Sequence, residues 1–220
     1  LIAGKAPFTL RGELPGSRDN YVHFVQDLFD IASLVRPYVK WEYSLPSGIT
    51  ANEVLRRAHS VMQSDPPGPV YLTLPREVLA ETIEDSAVQR FNAQRYGPVS
   101  LGGIDDIRAR AIAEQLMHAK HPMVVTSYLG RKATAVKALE TLAEMCGIRV
   151  YEFSPSYLNI SRASPCFGGF DAAHGLQNAD LGLLLDVDVP WLPKFTQENP
   201  DTPWIHIDVD PIKKDFPMWH

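Results

Sequence analysis

The stretch formed by residues 68–78 constrains the fold of this chain most. It reads Gly-Pro-Val-Tyr-Leu-Thr-Leu-Pro-Arg-Glu-Val, so an apolar run of β-formers follows a Pro-Pro-Gly turn and stops at Pro75. The pattern predicts a buried strand over residues 70–74. A second apolar run at residues 181–185 is typical of a strand that is covered on both faces, as in parallel sheets.

The residues before this strand predict alternating strands and helices. Strands are expected at residues 1–4 and 38–44, and a helix at residues 20–36, ended by Pro37. Thr50 and Glu53 form a potential capping box for a second helix. The apolar residues expected to face inward are Tyr21, Phe24, Val25, Leu28, Phe29, Ala32 and Val35 in the first helix, and Val54, Leu55, Ala58, Val61 and Met62 in the second. This β, α, β, α, β order favours parallel pairing through right-handed crossovers.

The remaining residues predict a second α/β unit. Periodicity is lost over residues 80–103, where charged, small and Gly-Pro residues are typical of an interdomain linker. Helices are expected at residues 104–119 and 134–146, the second capped by Gly147. Strands are expected at residues 123–127, 148–153, 181–186 and 204–209.

Composition excludes several classes of protein. The chain has 220 residues, 45% of them hydrophobic, which is enough for a substantial core. A net charge of -5 and a pI near 5.8 argue against nucleic acid as a partner. No apolar run approaches the roughly 20 residues that span a bilayer. Cys146 and Cys166 lack a CxxC spacing and are expected to be reduced thiols, and no histidine pair has a zinc-binding spacing.

Five short segments resemble one enzyme family in their order and spacing. They are Leu-Pro-Gly-Ser-Arg at residues 14–18, Gln-Asp at 26–27, Tyr-Val-Lys-Trp-Glu at 38–42, the strand region 68–78, and Ile-His-Ile-Asp-Val-Asp-Pro at 205–211. Together they resemble thiamine-diphosphate-dependent enzymes of the acetolactate synthase type. The resemblance implies an α/β fold with parallel sheets and flanking helices. Residues 1–90 would be the C-terminal part of the pyrimidine-binding domain, 91–102 a linker, and 103–220 a Rossmann-like (flavodoxin/sirtuin-like) central domain.

The same resemblance implies an activity for the parent protein. Such enzymes are lyases or transferases that decarboxylate a 2-oxo acid, or join it to a second carbonyl, with thiamine diphosphate and Mg²⁺. This chain contains neither the Gly-Asp-Gly motif nor the paired Asn that hold diphosphate and magnesium in the family, and the family's catalytic glutamate belongs to an earlier part of the domain. We therefore expect a truncated chain that holds no metal or thiamine diphosphate and is inactive by itself. The full-length enzyme would be a homodimer or homotetramer, cytoplasmic or, in a eukaryote, mitochondrial.

Three residues are expected near substrate or cofactor. By resemblance, Gln26 lines the entrance beside the cofactor, and Lys40 could hold the carboxylate of a 2-oxo acid. Arg18 lies in a loop that could cover the site, because ligand-binding loops follow the carboxyl ends of parallel strands. Each has a plainer interpretation: an exposed polar residue on a helix for Gln26, a solvated lysine for Lys40 and a surface turn for Arg18.

A nucleotide site is expected in the second unit, with Gly130 and Arg131 in the loop after its first strand and Asp208 and Asp210 near a ribose. The two aspartates could instead cap the next helix. Acetolactate synthases carry FAD in this domain, but their triple-glycine loop is reduced here to Gly130. Their Arg-Phe-Asp-Asp stretch is replaced by Asp-Val-Pro-Trp at residues 188–191. FAD binding is therefore in doubt.

Two other functions stay open. The chain could be a non-catalytic nucleotide-binding or oligomerisation module built on the second unit. It could also be a stable remnant without independent function, in which case its first sheet would expose edge strands and apolar surface and tend to associate.

Overall fold

A computed structural model describes residues 1–88, 97–99, 102–213 and 216 of the chain. The chain divides into two compact units, Leu1–Leu101 and Gly102–His220. The linker expected at residues 91–102 lies mostly outside the described residues. Both units contain parallel sheets with flanking helices, so the predicted α/β fold class is confirmed.

The first unit is built on a three-stranded parallel sheet. Its strands are β1 (Ile2–Lys5), β2 (Trp41–Ser44) and β3 (Val70–Pro75), in the order β1-β3-β2. The apolar run predicted as a buried strand is therefore the central strand. Ile2 lies opposite Leu72 on one side of β3, and Trp41 lies opposite Val70 on the other.

Helices and short turns surround this sheet. The helices are α1 (Val22–Val25), α2 (Ala51–Gln63) and α3 (Arg76–Ala80), and 3-10 turns occur at Ile31–Leu34, Arg36–Tyr38, Gly48–Thr50 and Asp85–Ala87. The helix α2 buries Val54 and Ala58 against Val70 and Leu72, with Val61 and Met62 at the edge of the same cluster. Leu55, which was expected to face inward, is half exposed instead.

The continuous helix predicted over residues 20–36 is wrong. Only the four residues of α1 are α-helical, and Phe24, Val25 and Leu28 are exposed. Side chains take over the local hydrogen bonds, since the Arg18 guanidinium donates to the His23 carbonyl that a longer helix would use. Further along, the Asp30 carboxylate accepts a hydrogen bond from the Ser33 amide and starts a separate 3-10 turn.

The predicted capping box at Thr50 and Glu53 is also wrong. The Thr50 side chain makes no capping hydrogen bond and donates instead to the Ser47 carbonyl. A 3-10 turn at Gly48–Thr50 precedes the helix, and the Ser47 hydroxyl caps that turn by accepting from the Ile49 amide. The capping function has therefore moved three residues toward the N-terminus.

The second unit is a five-stranded parallel sheet with the order β6-β5-β4-β7-β8. Its strands are β4 (Pro122–Thr126), β5 (Arg149–Glu152), β6 (Phe167–Gly169), β7 (Leu181–Leu185) and β8 (Trp204–Ile207). Its helices are α4 (Asp106–His118), α5 (Ala133–Cys146) and α6 (Ala173–Leu176), with a 3-10 turn at Leu129–Arg131. The predicted helices and strands are confirmed, and β6 and α6 were not predicted.

Apolar clusters cover both faces of this sheet, as the continuous apolar run predicts. Val124, Val150 and Leu183 belong to one cluster, together with residues of α4 and α5. Met123 and Val125 belong to another, which includes the α6 residue Leu176. Because neighbouring strand residues point to opposite faces, a strand that is covered on both faces, such as β7, is apolar along its length.

The predicted cap of α5 is confirmed. Gly147 follows the helix with φ 65° and ψ 31°, the left-handed conformation that ends helices most easily at glycine. Among the described residues, no helix combines the length and the apolar character needed to cross a membrane.

Candidate functional site

The loop after β1 is fixed in place by a buried carboxylate on α3. Glu77 is 4% exposed, and its Oε1 accepts hydrogen bonds from the Phe8 amide at 2.8 Å, the Thr9 amide at 2.8 Å and the Thr9 hydroxyl at 2.6 Å. Arg76, the residue before it, forms a two-pronged ion pair with Asp19 at 2.6 and 2.8 Å. Both ends of the loop are thus bound to the start of α3.

Glu77 is held in its charged form by these contacts. Burial works against the carboxylate, but the hydrogen bonds from the Thr9 hydroxyl and from the Thr9 and Phe8 amides outweigh it and lower the pKa of Glu77. Its Oε2 is buried and has no hydrogen-bond partner among the described residues. The charged carboxylate of Glu77 thus holds the loop through three hydrogen bonds, all of them accepted by Oε1.

Gln26 lies on a turn organised by Arg18. The Arg18 side chain is 12% exposed, pairs with Asp27, donates to the His23 carbonyl, and lies 5.0 Å from the centre of the Phe24 ring. The side chain of Gln26 is exposed at the end of α1. The structure therefore brings Arg18 and Gln26 into one turn, with the charge of Arg18 neutralised within it.

Lys40 lies apart from that turn, beside the end of α2. Its ammonium donates to the carbonyls of Ser64 at 2.7 Å and Pro66 at 2.9 Å. Its own amide donates to Pro69 at 2.7 Å. An ammonium has three N–H donors, so two of them serve the backbone here and one is available for a ligand.

A cavity of about 250 Å³ lies on the other face of the first sheet, lined by Lys5, Tyr71 and Thr73 among others. Arg36 also reaches it, but its guanidinium is bound by the carboxylates of Asp30 and Glu42. The hydrogen bonds that Arg36 donates to Asp30, followed by those that it donates to Glu42, raise the pKa of Arg36. The cation of Arg36 is thus already paired inside the unit.

In the second unit, the loop after β4 is filled by the chain itself. The Gly130 amide donates to the Asn159 side chain at 2.8 Å, and Asn159 is fully buried. A Cβ atom at residue 130 would lie 2.0 Å from the Leu158 carbonyl oxygen. Gly130 is thus needed for close backbone packing, and its amide is already used.

Asp208 and Lys213 form a buried ion pair beyond β8. The Lys213 ammonium lies 2.8 Å from Asp208 and 2.9 Å from Asp188. Burial opposes the charge of Asp208, yet hydrogen bonds from His206, the Asp210 amide and Lys213 hold the pKa of Asp208 well below its usual range. Burial likewise opposes the charge of Lys213, and hydrogen bonds to the two aspartates outweigh it and raise the pKa of Lys213.

Of the four residues expected to bind a nucleotide, Gly130, Arg131 and Asp208 instead bind other residues of the same unit, and the Asp210 amide binds Asp208. Arg131 pairs with Asp186 after β7, Asp208 accepts from the Val187 and Asp210 amides, and Gly130 is bound as described. Burial, followed by the charge of Asp188, raises the pKa of Tyr128 at the same loop. These residues do not fit a flavin diphosphate, which needs unengaged amides and cations at such a loop.

The described residues include no group of three or more His, Cys, Asp or Glu side chains placed to hold a metal ion.

Comparison with known proteins gives relatives for most of the chain. No profile of a known protein family matches it. It is 25% identical over 188 residues to acetolactate synthase of Bacillus subtilis (81% of this chain) and 27% identical over 213 residues to oxalyl-CoA decarboxylase of Escherichia coli (92%). It is also 27% identical over 166 residues to 2-hydroxyacyl-CoA lyase 1 of Dictyostelium discoideum (72%). The chain is acetolactate synthase-like and related to thiamine-diphosphate-dependent enzymes.

Solved structures agree on the fold of this acetolactate synthase-like chain. Benzoylformate decarboxylase of Polynucleobacter necessarius matches with a TM-score of 0.69 at 17% identity, over 94% of this chain and 38% of that one. A Mycobacterium smegmatis protein described as a thiamin diphosphate-dependent enzyme matches with a TM-score of 0.62 at 20% identity, over 93% of this chain and 39% of that one. The chain spans only 32% of the acetolactate synthase, 37% of the oxalyl-CoA decarboxylase and 28% of the 2-hydroxyacyl-CoA lyase.

Sequence reasoning missed Glu77 and Asn159. A carboxylate two residues after a strand that ends in Pro75 was a usable signal for Glu77, because the loops of an α/β sheet gather at that edge. Asn159 lies in a loop far from Gly130 in sequence, and its role could only be seen once β5 and β4 were placed side by side.

Proposed function

We propose that this chain is part of a thiamine-diphosphate-dependent enzyme that decarboxylates a 2-oxo acid or joins it to a second carbonyl. The observation that carries this proposal is the set of acetolactate synthase, oxalyl-CoA decarboxylase and hydroxyacyl-CoA lyase alignments, each longer than either unit of the chain. Residues 1–90 would then be pyrimidine-binding and residues 103–220 the central domain. The chain alone would be inactive, and the full-length enzyme a homodimer or homotetramer.

Bound thiamine diphosphate would supply the carbon nucleophile and the electron sink for loss of carbon dioxide. The residues of this chain would bind and orient. In the proposal, the exposed amide of Gln26 lies beside the cofactor, and Arg18 fixes the turn that carries it. The free N–H of Lys40 would donate to the substrate carboxylate, since the other two are bound to backbone carbonyls.

The test uses the full-length gene product that contains this chain. It is assayed for release of carbon dioxide from pyruvate and from oxalyl-CoA, with thiamine diphosphate and Mg²⁺. We expect turnover that requires the cofactor with at least one of the two substrates. Absence of turnover with both, together with a thermal shift on adding adenine nucleotides, would support the non-catalytic nucleotide-binding module instead.

Two variants test the assigned residues. Gln26→Ala should lower kcat/KM, whereas Gln63→Ala, an exposed glutamine at the end of α2, should not. Lys40→Met should raise KM for the 2-oxo acid about tenfold or more, because a hydrogen bond between charged groups is lost. Lys137→Met, on the exposed side of α5, is its matched control. An unchanged KM in Lys40→Met would remove Lys40 from the substrate site.

A further inference from the structure

We propose that Glu77 is a positioning residue for Gln26, acting through Thr9 and Arg18. This inference rests on the proposed function, because it is the proposed cofactor-side role of Gln26 that Glu77 would support. Glu77 itself lies on α3, and the residues that it holds are 68 and 69 positions earlier in the chain.

The first link joins α3 to the loop after β1. The Glu77 Oε1 atom receives all three hydrogen bonds from Phe8 and Thr9. The Thr9 hydroxyl also lies 2.6 Å from the Ser17 hydroxyl, so the start and the end of the loop meet at Thr9. Loss of the carboxylate would release the beginning of the loop from the helix.

The second link joins that loop to the turn that carries Gln26. The Arg18 amide donates to the Thr9 carbonyl at 3.1 Å, so the backbone of Arg18 is fixed by the residue that Glu77 holds. The Arg18 guanidinium then binds Asp27 and the His23 carbonyl, which flank Gln26 in sequence. A continuous series of hydrogen bonds thus leads from Glu77 through Thr9 and Arg18 to Asp27, the residue next to Gln26 in the chain.

The ion pair between Arg76 and Asp19 runs beside this path. It fixes the residue that follows Arg18, and the Asp19 amide lies 3.4 Å from the Nδ1 atom of His23. The side chains of Arg76 and Asp19 are exposed, whereas Glu77, which accepts the hydrogen bonds from the loop, is buried. Glu77 is therefore the stronger anchor, because water replaces buried hydrogen bonds least readily.

The experiment compares Glu77→Gln with wild type in the full-length gene product, alone and combined with Gln26→Ala. We expect Glu77→Gln to lower kcat/KM between about tenfold and a hundredfold, as small misplacements of catalytic groups do. In the Gln26→Ala background the same substitution should change kcat/KM less than threefold, because nothing is left to position. A merely structural role of Glu77 would give the same loss in both backgrounds.

Glu81→Gln is the matched control, since Glu81 ends the same helix region and accepts hydrogen bonds from Ser47 and Gly48 at the surface. Amide hydrogen exchange of Phe8, Thr9 and Arg18 should accelerate in Glu77→Gln and not in Glu81→Gln. If Glu77→Gln does not fold, Thr9→Val removes only the hydroxyl donor and takes its place in the cycle.

The outcomes separate the two proposals. An active wild type whose kcat/KM is unaffected by Glu77→Gln, or equally affected in both backgrounds, overturns the positioning role and leaves the proposed function standing. A wild type without cofactor-dependent turnover overturns both, and the hydrogen-exchange result then reports only on the attachment of the loop.

Discussion

Replacing Gly130 by alanine should destabilise the second unit strongly, for steric reasons alone. The added Cβ would lie 2.0 Å from the Leu158 carbonyl oxygen, whereas a normal carbon to oxygen contact is about 3.3 Å. The Leu158 backbone would have to move by more than about 1 Å, which also disturbs the hydrogen bond between the Gly130 amide and Asn159. Overpacking costs about 1–3 kcal/mol. A weakened buried hydrogen bond costs about 1–3 kcal/mol more, so we expect a loss of about 4 kcal/mol.

Gly147→Ala provides the comparison, because its cause is conformational. No atom lies within 4 Å of a Cβ at residue 147, but its φ of +65° is unfavourable for alanine. A left-handed residue of this kind costs about 1–2 kcal/mol. Gly147→Asn should recover part of that loss, since asparagine tolerates the left-handed region.

The assay is urea unfolding followed by circular dichroism, with the three variants measured side by side. The free energy of unfolding should fall in the order wild type, Gly147→Asn, Gly147→Ala, Gly130→Ala. A Gly130→Ala protein that is as stable as Gly147→Ala would refute the close approach of Leu158, and with it the view that the chain itself fills the loop after β4.

Three further predictions concern the second unit. Because the pKa of Asp208 is lowered in the folded state, its contribution to stability is present above the unfolded pKa of about 4 and is lost as the pH falls through the folded pKa. In Asp208→Asn, the free energy of unfolding measured in urea should therefore depend less on pH in the acid range. An unchanged dependence on pH would contradict this. Arg162 pairs with the fully buried Glu152, and its guanidinium carbon lies 4.6 and 4.8 Å from the centres of the Phe167 and Phe170 rings. Arg162→Met should therefore lower the free energy of unfolding by about 2 kcal/mol, less than for a fully buried pair because Arg162 is partly exposed. Adding Glu152→Gln to this variant should restore part of the free energy of unfolding measured in urea. Purified full-length protein should show no visible flavin absorbance and no thermal shift with FAD, and a bound flavin would show that the contacts of Gly130 and Arg131 can open.

The pattern of apolar residues was sufficient for most of the fold. The runs at residues 70–74 and 181–185 predicted the central strand of the first sheet and β7 of the second, because continuous burial demands apolar residues on both faces. β6 and α6 escaped prediction since each is at most four residues long, too short for a periodic signal. The helix expected at residues 20–36 failed because polar side chains, Arg18 and Asp30 above all, compete for the backbone.

The candidate site was less predictable than the fold. Gln26 and Lys40 were proposed from resemblance and Arg18 from its position in a loop, and the structure shows which groups Lys40 and Arg18 bind within the chain. The partners are separated along the chain: Lys40 from Pro66, Gly130 from Asn159, Arg131 from Asp186. Such pairs depend on which segments lie side by side in the fold, and the local sequence pattern around each residue does not reveal this.

The position of β3 in the first sheet has a consequence for synthesis on the ribosome. Among the described strands, β1 and β2 pair with β3 alone, and β3 comes last of the three along the chain. Neither earlier strand can form its ladder with β3 until Pro75 has left the exit tunnel, so the backbone groups that face β3 stay unpaired while some thirty further residues are added after β2. The nascent chain is thus exposed to wrong strand partners during this interval, and the arrival of one apolar segment pairs both earlier strands at once.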